Sequence, residues 1–335
     1  TTATVTPVKA QPAATIQVRS NGDAFSTVAS GAASQAMSLN PGANYLEVNV
    51  TAQDGTTVYS YTVIVTRSVG GIEWASEPGN LASIEPVVSA DGRHVAFSSR
   101  ASNLVADDTN NQDDVFVYDR TTRAIERVSV SSTGVEGDFA SLNPSISADG
   151  RFVAFRSEAT NLVPNDNNGQ NDKSAGRDVF VYDRTNDTIE RVSLRENGGE
   201  ANGKSENPSI SADGRFVAFS SGANNLIAGF RNGGTNVYVR DRTENTIVGI
   251  SVPFAISQSN RASLNPVIPA DGSFVAFEFH ASLNDGNRSF QYTDIYLFTR
   301  VGGHVVRVTG TKDGLQADGT DSVSPSISAD GRYVA

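Results

Sequence analysis

One stretch, Pro144-Ser-Ile-Ser-Ala-Asp-Gly-Arg-Phe-Val-Ala-Phe155, returns as Pro86 to Phe97, Pro208 to Phe219 and Pro266 to Phe277, and once more, ending a residue short, as Pro325 to Ala335. The prolines stand 58, 64, 58 and 59 residues apart. A fixed period of this size restricts a chain to solenoids, propellers or arrays, where one unit repeats and each copy buries its apolar face against the next.

Within every copy an Asp-Gly pair (Asp91-Gly92, Asp149-Gly150, Asp213-Gly214, Asp271-Gly272, Asp330-Gly331) lies between two short apolar runs. In that setting the pair supplies the positive φ angles of a tight hairpin turn, so the motif is a hairpin and not a site. A third apolar run follows as Asp114 to Arg120, Asp178 to Arg184, Asn236 to Arg242 and Asp294 to Arg300. A fourth comes after a polar turn, as Ile125 to Ser129, Ile189 to Ser193, Ile247 to Ser251 and Val305 to Thr309. Four extended runs per repeat, with no helical period anywhere, predict four-stranded antiparallel blades. The fold class is therefore all-β, with a β-propeller over 69–335 made of four full repeats and partial ones at both ends.

The hairpin motif and its spacing resemble the TolB-like propeller repeats, whose Pro-x-x-Ser-x-Asp-Gly-x-x-Val/Ile-Ala-Phe pattern is met in succession over about residues 72–335. The resemblance implies a fold; propellers of this kind serve as binding platforms, enzymes and structural modules alike. A lone Ile72-Glu-Trp-Ala-Ser76 matches the fourth strand Ile125 to Ser129, and a lone first hairpin ends at Ala335. Propellers commonly build one blade from both chain ends. Two expectations stand side by side: a ring of more blades cut short at Ala335, or one whose missing strand comes from a neighbouring molecule.

Residues 1–68 lie outside the repeat. They read as short strands (Thr15 to Arg19, Ala36 to Leu39, Tyr45 to Thr51, Thr57 to Thr66) separated by the turn signals Asn21-Gly22, Asn40-Pro41-Gly42 and Asp54-Gly55. Leu46, Val48 and Val50 share one face of their strand, as do Tyr59, Tyr61, Val63 and Val65 of the next, which predicts a small immunoglobulin-like β-sandwich. The run Ser38 to Arg67, with its Asn-Pro-Gly turn, its Val-Thr-Ala-Gln-Asp-Gly-Thr turn and its closing Tyr-Thr-Val-x-Val-Thr-Arg strand, is similar to the bacterial cadherin-like β-sandwich domain. That resemblance implies a nonenzymatic spacer or adhesive module of a secreted protein. The family pattern begins with a strand before the position of Thr1, so the sandwich reads as short at that edge.

A net charge of −11 argues against nucleic acid and anionic membranes, because phosphate binding needs clustered Lys and Arg. The absence of cysteine removes disulfides and thiol chemistry. No apolar stretch approaches the ~18 residues of a membrane helix, and no signal peptide is present, so Thr1 reads as an internal position of a longer precursor. Few Lys and many Asn, Thr, Ser, Gly and Asp fit an extracellular bacterial protein.

Candidate chemistry sits in the loops between second and third strands. Asp108, Asn110, Gln112 and Asp114 in the first copy, and Asp166, Asn168, Gln170 and Asp172 in the second, place oxygen side chains at alternate positions, as a loop wrapping calcium does. The alternative is that Asx-rich loops turn well by bonding their own backbone. The third copy, Gly229 to Asn236, has no carboxylate, and in the fourth only Asp285, Asn287 and Asp294 offer one or an amide oxygen. Asp119-Arg120, Asp183-Arg184 and Asp241-Arg242 recur at one blade position and read as ladder or inter-blade ion pairs. His94 replaces a Phe of other copies and is expected half-buried; with His280 and His304 at unrelated positions, no metal triad is expected. No nucleophile elbow, zincin helix or phosphate loop occurs, and neither Trp74 nor the tyrosines suggest a sugar platform.

The expectation for function is an extracellular structural or adhesive protein, a filament or surface-array subunit linked by strand exchange with other copies of itself, cell-surface proteins or polysaccharide, and with calcium-stabilised loops. The alternatives are a carbohydrate-active propeller, lyase or hydrolase, whose carboxylates come from distant loops, and a protein-binding platform.

Overall fold

The computed structural model describes residues 2–40, 42–67, 75, 79–167, 176–228, 234–251, 262–280, 293–310 and 321–335. The chain divides into two compact units, Thr1–Trp74 and Ala75–Ala335. Among the described residues every regular element is a strand.

In the first unit β1 (Thr2–Ala3) pairs with β4 (Met37–Ser38), and β2 (Thr15–Ser20), β3 (Ser26–Thr27), β5 (Gly42–Thr51) and β6 (Val58–Arg67) form a sheet in the order β3-β2-β5-β6. Ile16, Val18, Val28 and Val48 make the small core, with Val5, Met37 and Val50 against it. Asn44, fully buried, pins two turns at once: its Oδ1 accepts from the Asn40 amide at 2.6 Å and from Asn21 Nδ2 at 2.8 Å, while its Nδ2 donates to the Asn40 carbonyl. The apolar face expected of β6 does exist, because Tyr59, Tyr61 and Val63 stand opposite Val50, Val48 and Leu46. It is nevertheless open. β6 is the edge of the sheet, and Tyr59 and Tyr61 remain 60% and 59% exposed while Leu46 and Val48 are buried.

The second unit holds four four-stranded antiparallel sheets, as the repeat predicts. The first blade comprises β7 (Ser83–Val88), β8 (His94–Ser99), β9 (Asp114–Asp119) and β10 (Ile125–Arg127); the second β11 (Ser141–Ile146), β12 (Phe152–Ser157), β13 (Asp178–Asp183) and β14 (Thr188–Arg191). The third has β15 (Ser205–Ile210), β16 (Phe216–Ser221), β17 (Asn236–Asp241) and β18 (Thr246–Gly249), and the fourth β19 (Ser263–Val267), β20 (Phe274–Phe279), β21 (Asp294–Thr299) and β22 (His304–Arg307). A fifth hairpin, with Ile327 bridging Val334, follows. The strand expected at Ile72 to Ser76, Trp74 included, lies outside the described residues apart from Ala75.

Alternating side chains of one strand serve two neighbours. Val153 and Phe155 of β12 join a core cluster with Ala96, Val115 and Val117 of the first blade, whereas Ala154 between them joins Val217, Phe219 and Tyr238 of the third. Strands buried on both faces have no solvent side, which is why β9 and β13 are buried at all six positions and read as continuous apolar runs. The arrangement about an axis follows from equivalent residues: Pro86, Pro144, Pro208, Pro266 and Pro325, one from each copy, line a single pocket. Each residue before these prolines (Glu85, Asn143, Asn207, Asn265, Ser324) has a positive φ of 48–58°. The inner-strand register shifts at the same place, so each inner strand carries a bulge where Asn, the side chain best tolerated there, is the commonest choice.

Consecutive hairpin turns are tied through backbone alone. Ala90, Ala148, Ala212 and Ala270 each donate their amide to the carbonyl of the equivalent alanine in the next copy (Ala148, Ala212, Ala270, Ala329), at 3.1, 3.0, 3.0 and 3.2 Å.

Candidate cation cages, axial pocket and aromatic groove

In the first, second and fourth blades the third strand begins with an aspartate whose buried carboxylate closes the sheet end. Ser129 Oγ donates to Asp114 at 2.5 Å and accepts from the Val115 amide at 3.1 Å. Ser193 does the same for Asp178 and Val179, and Thr309 for Asp294 and Ile295. In the first blade the loop before β9 then brings Asp108, and the loop after β10 brings Glu136, to Asp114; their ligand oxygens lie within 4.8 Å of one another. This is an acidic cluster of the composition a hard cation takes.

Its centre holds a guanidinium. Arg127 Nη1 lies 2.8 Å from Glu136 and 3.6 Å from both Asp108 and Asp114, and Nη2 donates to the Asp107 carbonyl. Of the other residues predicted to ligate, Asn110 donates to Asp114 and to the Gly137 carbonyl, and the Gln112 amide donates to Asn110 Oδ1. Asn110 thus turns its loop and fixes a cluster member at the same time. The second blade repeats the cage with Arg191, whose Nη1 lies 2.9 Å from Asp166 and 3.2 Å from Asp178 and whose Nη2 lies 3.2 Å from Glu200. Asn168, Gln170 and Asp172 lie outside the described residues, as do Asp285 and Asn287.

Burial governs the charge of these groups. It pushes the Asp114 carboxyl up to about 6, against hydrogen bonds from Ser129 and Asn110 that pull it down. Burial, reinforced by the neighbouring Asp178 carboxylate, pushes Asp166 up to about 7. Any cation reaching the oxygens of the first cage must displace Arg127.

Arg127, Arg191, Glu136 and Glu200 escaped the reading of loop spacing, yet the repeat alignment holds their signal. At the position of Asp114, Asp178 and Asp294 the third copy has Asn236, and at the position of Arg127, Arg191 and Arg307 it has Gly249. Carboxylate and guanidinium are lost together, as expected of a buried pair whose members are each costly alone.

The Asp-Arg dipeptides ending the third strands are ion pairs, but not with each other. Asp119, Asp183 and Asp241 bind Arg93, Arg151 and Arg215 of their own hairpin turns at 2.7, 2.6 and 2.7 Å. The Arg151 hydrogen bonds hold the Asp183 carboxyl down to about 2. Arg184 and Arg242 reach back to the preceding blade, to Glu126 at 2.9 Å and Glu190 at 2.6 Å.

The axial pocket has a volume of about 380 Å³ and a polar rim that laces neighbouring copies. Glu85 accepts from the Asn143 amide and Nδ2 at 2.7 and 2.8 Å, Asn207 Nδ2 donates to Asn265 at 2.9 Å, and the buried Glu278 accepts from Asn265 and from the Ser324 amide. In the sandwich unit a groove of about 720 Å³ runs between Pro7–Gln11 and the face carrying Val48, Val50, Tyr59 and Tyr61, with Lys9, Gln11 and Asp54 beside it. The exposure of the tyrosine pair is not legible in the linear sequence, since it depends on the open edge of β6.

Residues 1–68 match the cadherin-like beta sandwich domain. No curated protein matches the chain. Among solved structures, it is similar to a protein of Agrobacterium tumefaciens assigned as TolB, at 14% identity over 88% of this chain and 87% of that one, TM-score 0.44. It is similar to an oligogalacturonate lyase in complex with manganese, at 13% identity over 87% of this chain and 69% of that one, TM-score 0.44. A puromycin-hydrolysing peptidase of Mycobacterium tuberculosis is similar at 12% identity over 79% and 36%, TM-score 0.43. The propeller architecture stands on the repeated four-stranded sheets and the pocket their inner strands share.

Proposed function

We propose that this union of a cadherin-like sandwich with a propeller of TolB-like repeats works outside the cytoplasm as a structural or adhesive building block, a subunit joined to other copies by strand exchange. The observation that carries the reading is β6: an edge strand of ten residues, in unbroken register with β5, carrying Tyr59, Tyr61 and Val63 exposed, and with no proline, lysine or bulge to discourage pairing. Such an edge takes a further strand at little cost in rearrangement. Light scattering and electron microscopy of the chain over a concentration series test it: association abolished by a Val63→Lys substitution on the open face supports strand exchange, and a monomer at all concentrations overturns it.

Calcium belongs to this reading as a clamp of the first loop, held by Asp108, Asp114 and Glu136 after Arg127 has moved aside. Melting with calcium and with chelator tests it; no difference between the two removes the clamp.

One observation favours a second reading, carbohydrate binding. Tyr59 and Tyr61 stand two residues apart on one open face beside Lys9, Gln11 and Asp54, an arrangement that offers ring faces for stacking and polar groups for hydroxyls. Retention on immobilised neutral and acidic polysaccharides, lost on replacing both tyrosines by alanine, supports it. Cleavage of such a polysaccharide, abolished by changing a loop carboxylate to its amide, would extend it to an enzyme.

A further inference from the structure

The seams between blades are built alike, with one exception. The first residue of each second strand packs onto the Asp-Gly turn of the following copy: a Cβ added to Gly214 would meet the Phe152 ring at 2.1 Å, one on Gly272 the Phe216 ring at 2.4 Å, and one on Gly331 the Phe274 ring at 2.6 Å. At Phe152 and Phe216 two guanidinium groups cover the ring. Arg151, from the same hairpin turn, and Arg242, from the third strand of the next blade, lie 4.5 Å from the Phe152 centroid; Arg215 and Arg300 lie 4.8 and 3.9 Å from that of Phe216. A neutral aromatic ring attracts both cations.

Between the first and second blades the ring is His94. It fills the same place, its Nδ1 2.2 Å from where a Gly150 Cβ would stand. It is 7% exposed, more deeply buried than a half-buried strand position, and among the described residues its Nδ1 has no hydrogen-bond partner. The charged groups facing it are Asp91 and Arg93 of its own turn, Asp119 of β9 and Arg184 of the second blade. Asp119 lies 3.9 Å from Nε2 but is engaged by Arg93 at 3.1 and 2.7 Å, and Arg184 is held by Glu126 and by the Gly150 carbonyl. A proton on this imidazole would add a third cation beside Arg93 and Arg184, in a slot that among the described residues offers its Nδ1 no acceptor.

We propose that His94 makes the seam between the first and second blades an acid-sensitive joint, closed by the neutral ring and loosened when the ring is protonated. Burial and the Arg184 charge depress the affinity of His94 for protons. An imidazole whose folded pKa lies below its unfolded one takes up protons on opening, so opening is favoured as pH falls through the unfolded value near 6.5, by up to about tenfold per pH unit, until the folded value is passed.

The chain has no native cysteine, so a single introduced thiol reports one seam. Val153 is fully buried in the cluster shared by the first and second blades, and Val217 in that shared by the second and third. Thiol-labelling rates of the V153C chain, divided by those of V153C carrying H94F, are expected to rise at least about threefold from pH 7.5 to 5.5. The same ratio for V217C is expected to stay flat. His94→Gln, which cannot titrate, serves as the divisor where H94F fails to fold. A V153C ratio that does not change with pH, or V217C and V153C ratios that rise together, overturns the proposal.

Discussion

The polar ends of the first and second blades enclose a guanidinium among carboxylates, whereas the third blade carries Asn236 and Gly249 at the same two positions and keeps its sheet. The hydroxyl that organises the strand end is common to both solutions: Ser251 donates to Asn236 at 3.3 Å as Ser193 does to Asp178 at 2.5 Å, and each accepts the next backbone amide. The hydrogen-bond frame therefore shapes the strand end, and the charges are an addition that has to be made or omitted as a pair.

Breaking one partner tests this most severely. Arg191→Ala leaves Asp166 and Asp178 buried without their cation and is expected to lower stability by about 3–5 kcal/mol in denaturant unfolding. The double change D178N with R191G copies the third blade and is expected to cost less than half as much. A double variant as unstable as the single one would show that the third blade is held by something other than the lost pair.

The next largest effect is that of pH. The Asp166 carboxyl, raised by burial to about 7, is more readily protonated folded than unfolded, so its contribution improves as pH falls from about 7 towards the unfolded value and worsens as pH rises through 7. Relative to D166N, the wild-type chain is expected to gain up to about 1.4 kcal/mol per pH unit between pH 7 and 5. Parallel unfolding profiles for the two chains would contradict this.

Calcium sharpens the contrast between an occupied and an emptied cage. Arg127→Gln removes the competing guanidinium while leaving Asp108, Asp114 and Glu136 in place, and calcium is expected to raise its melting temperature by several degrees, more than it raises that of the wild type. Equal responses, or none, would separate the cluster from any cation. The smallest effect is expected at the rim: Arg215 and Glu244 stand 3.7 Å apart with Glu244 largely exposed, and E244A is expected to change stability by less than about 0.5 kcal/mol.

The architecture was legible because it is repeated: five Asp-Gly turns at near-constant spacing leave little but stacked hairpins, and the buried-on-both-faces runs such as Val115-Phe-Val117 mark the middle of each blade. The loops were legible only in part. Alternating oxygens pointed to Asp108 and Asp114, which lie together, but the third acid, Glu136, arrives from 22 residues beyond Asp114, and the guanidinium among them from the fourth strand. Such partners are brought together by strand pairing across a blade, which local spacing does not encode; only the joint change to Asn236 and Gly249 betrays it. His94 was read as a half-buried strand position, whereas its work, like that of Phe152 and Phe216, is at the seams, a distinction that depends on the neighbouring blade. The open face of β6 was read as an interior because alternation says which side chains share a face and not whether anything covers it.

The chain of alanine amides and carbonyls that runs from Ala90 to Ala329 involves no side chain at all. Mutation can therefore rewrite every loop and most of the ionic decoration without untying successive sheets, because the knots lie in the one part of a polypeptide that substitution leaves untouched. That freedom explains how two copies can hold an acidic cage and the third none, while the period survives; it marks the loops as the place where new chemistry can be tried at little structural risk.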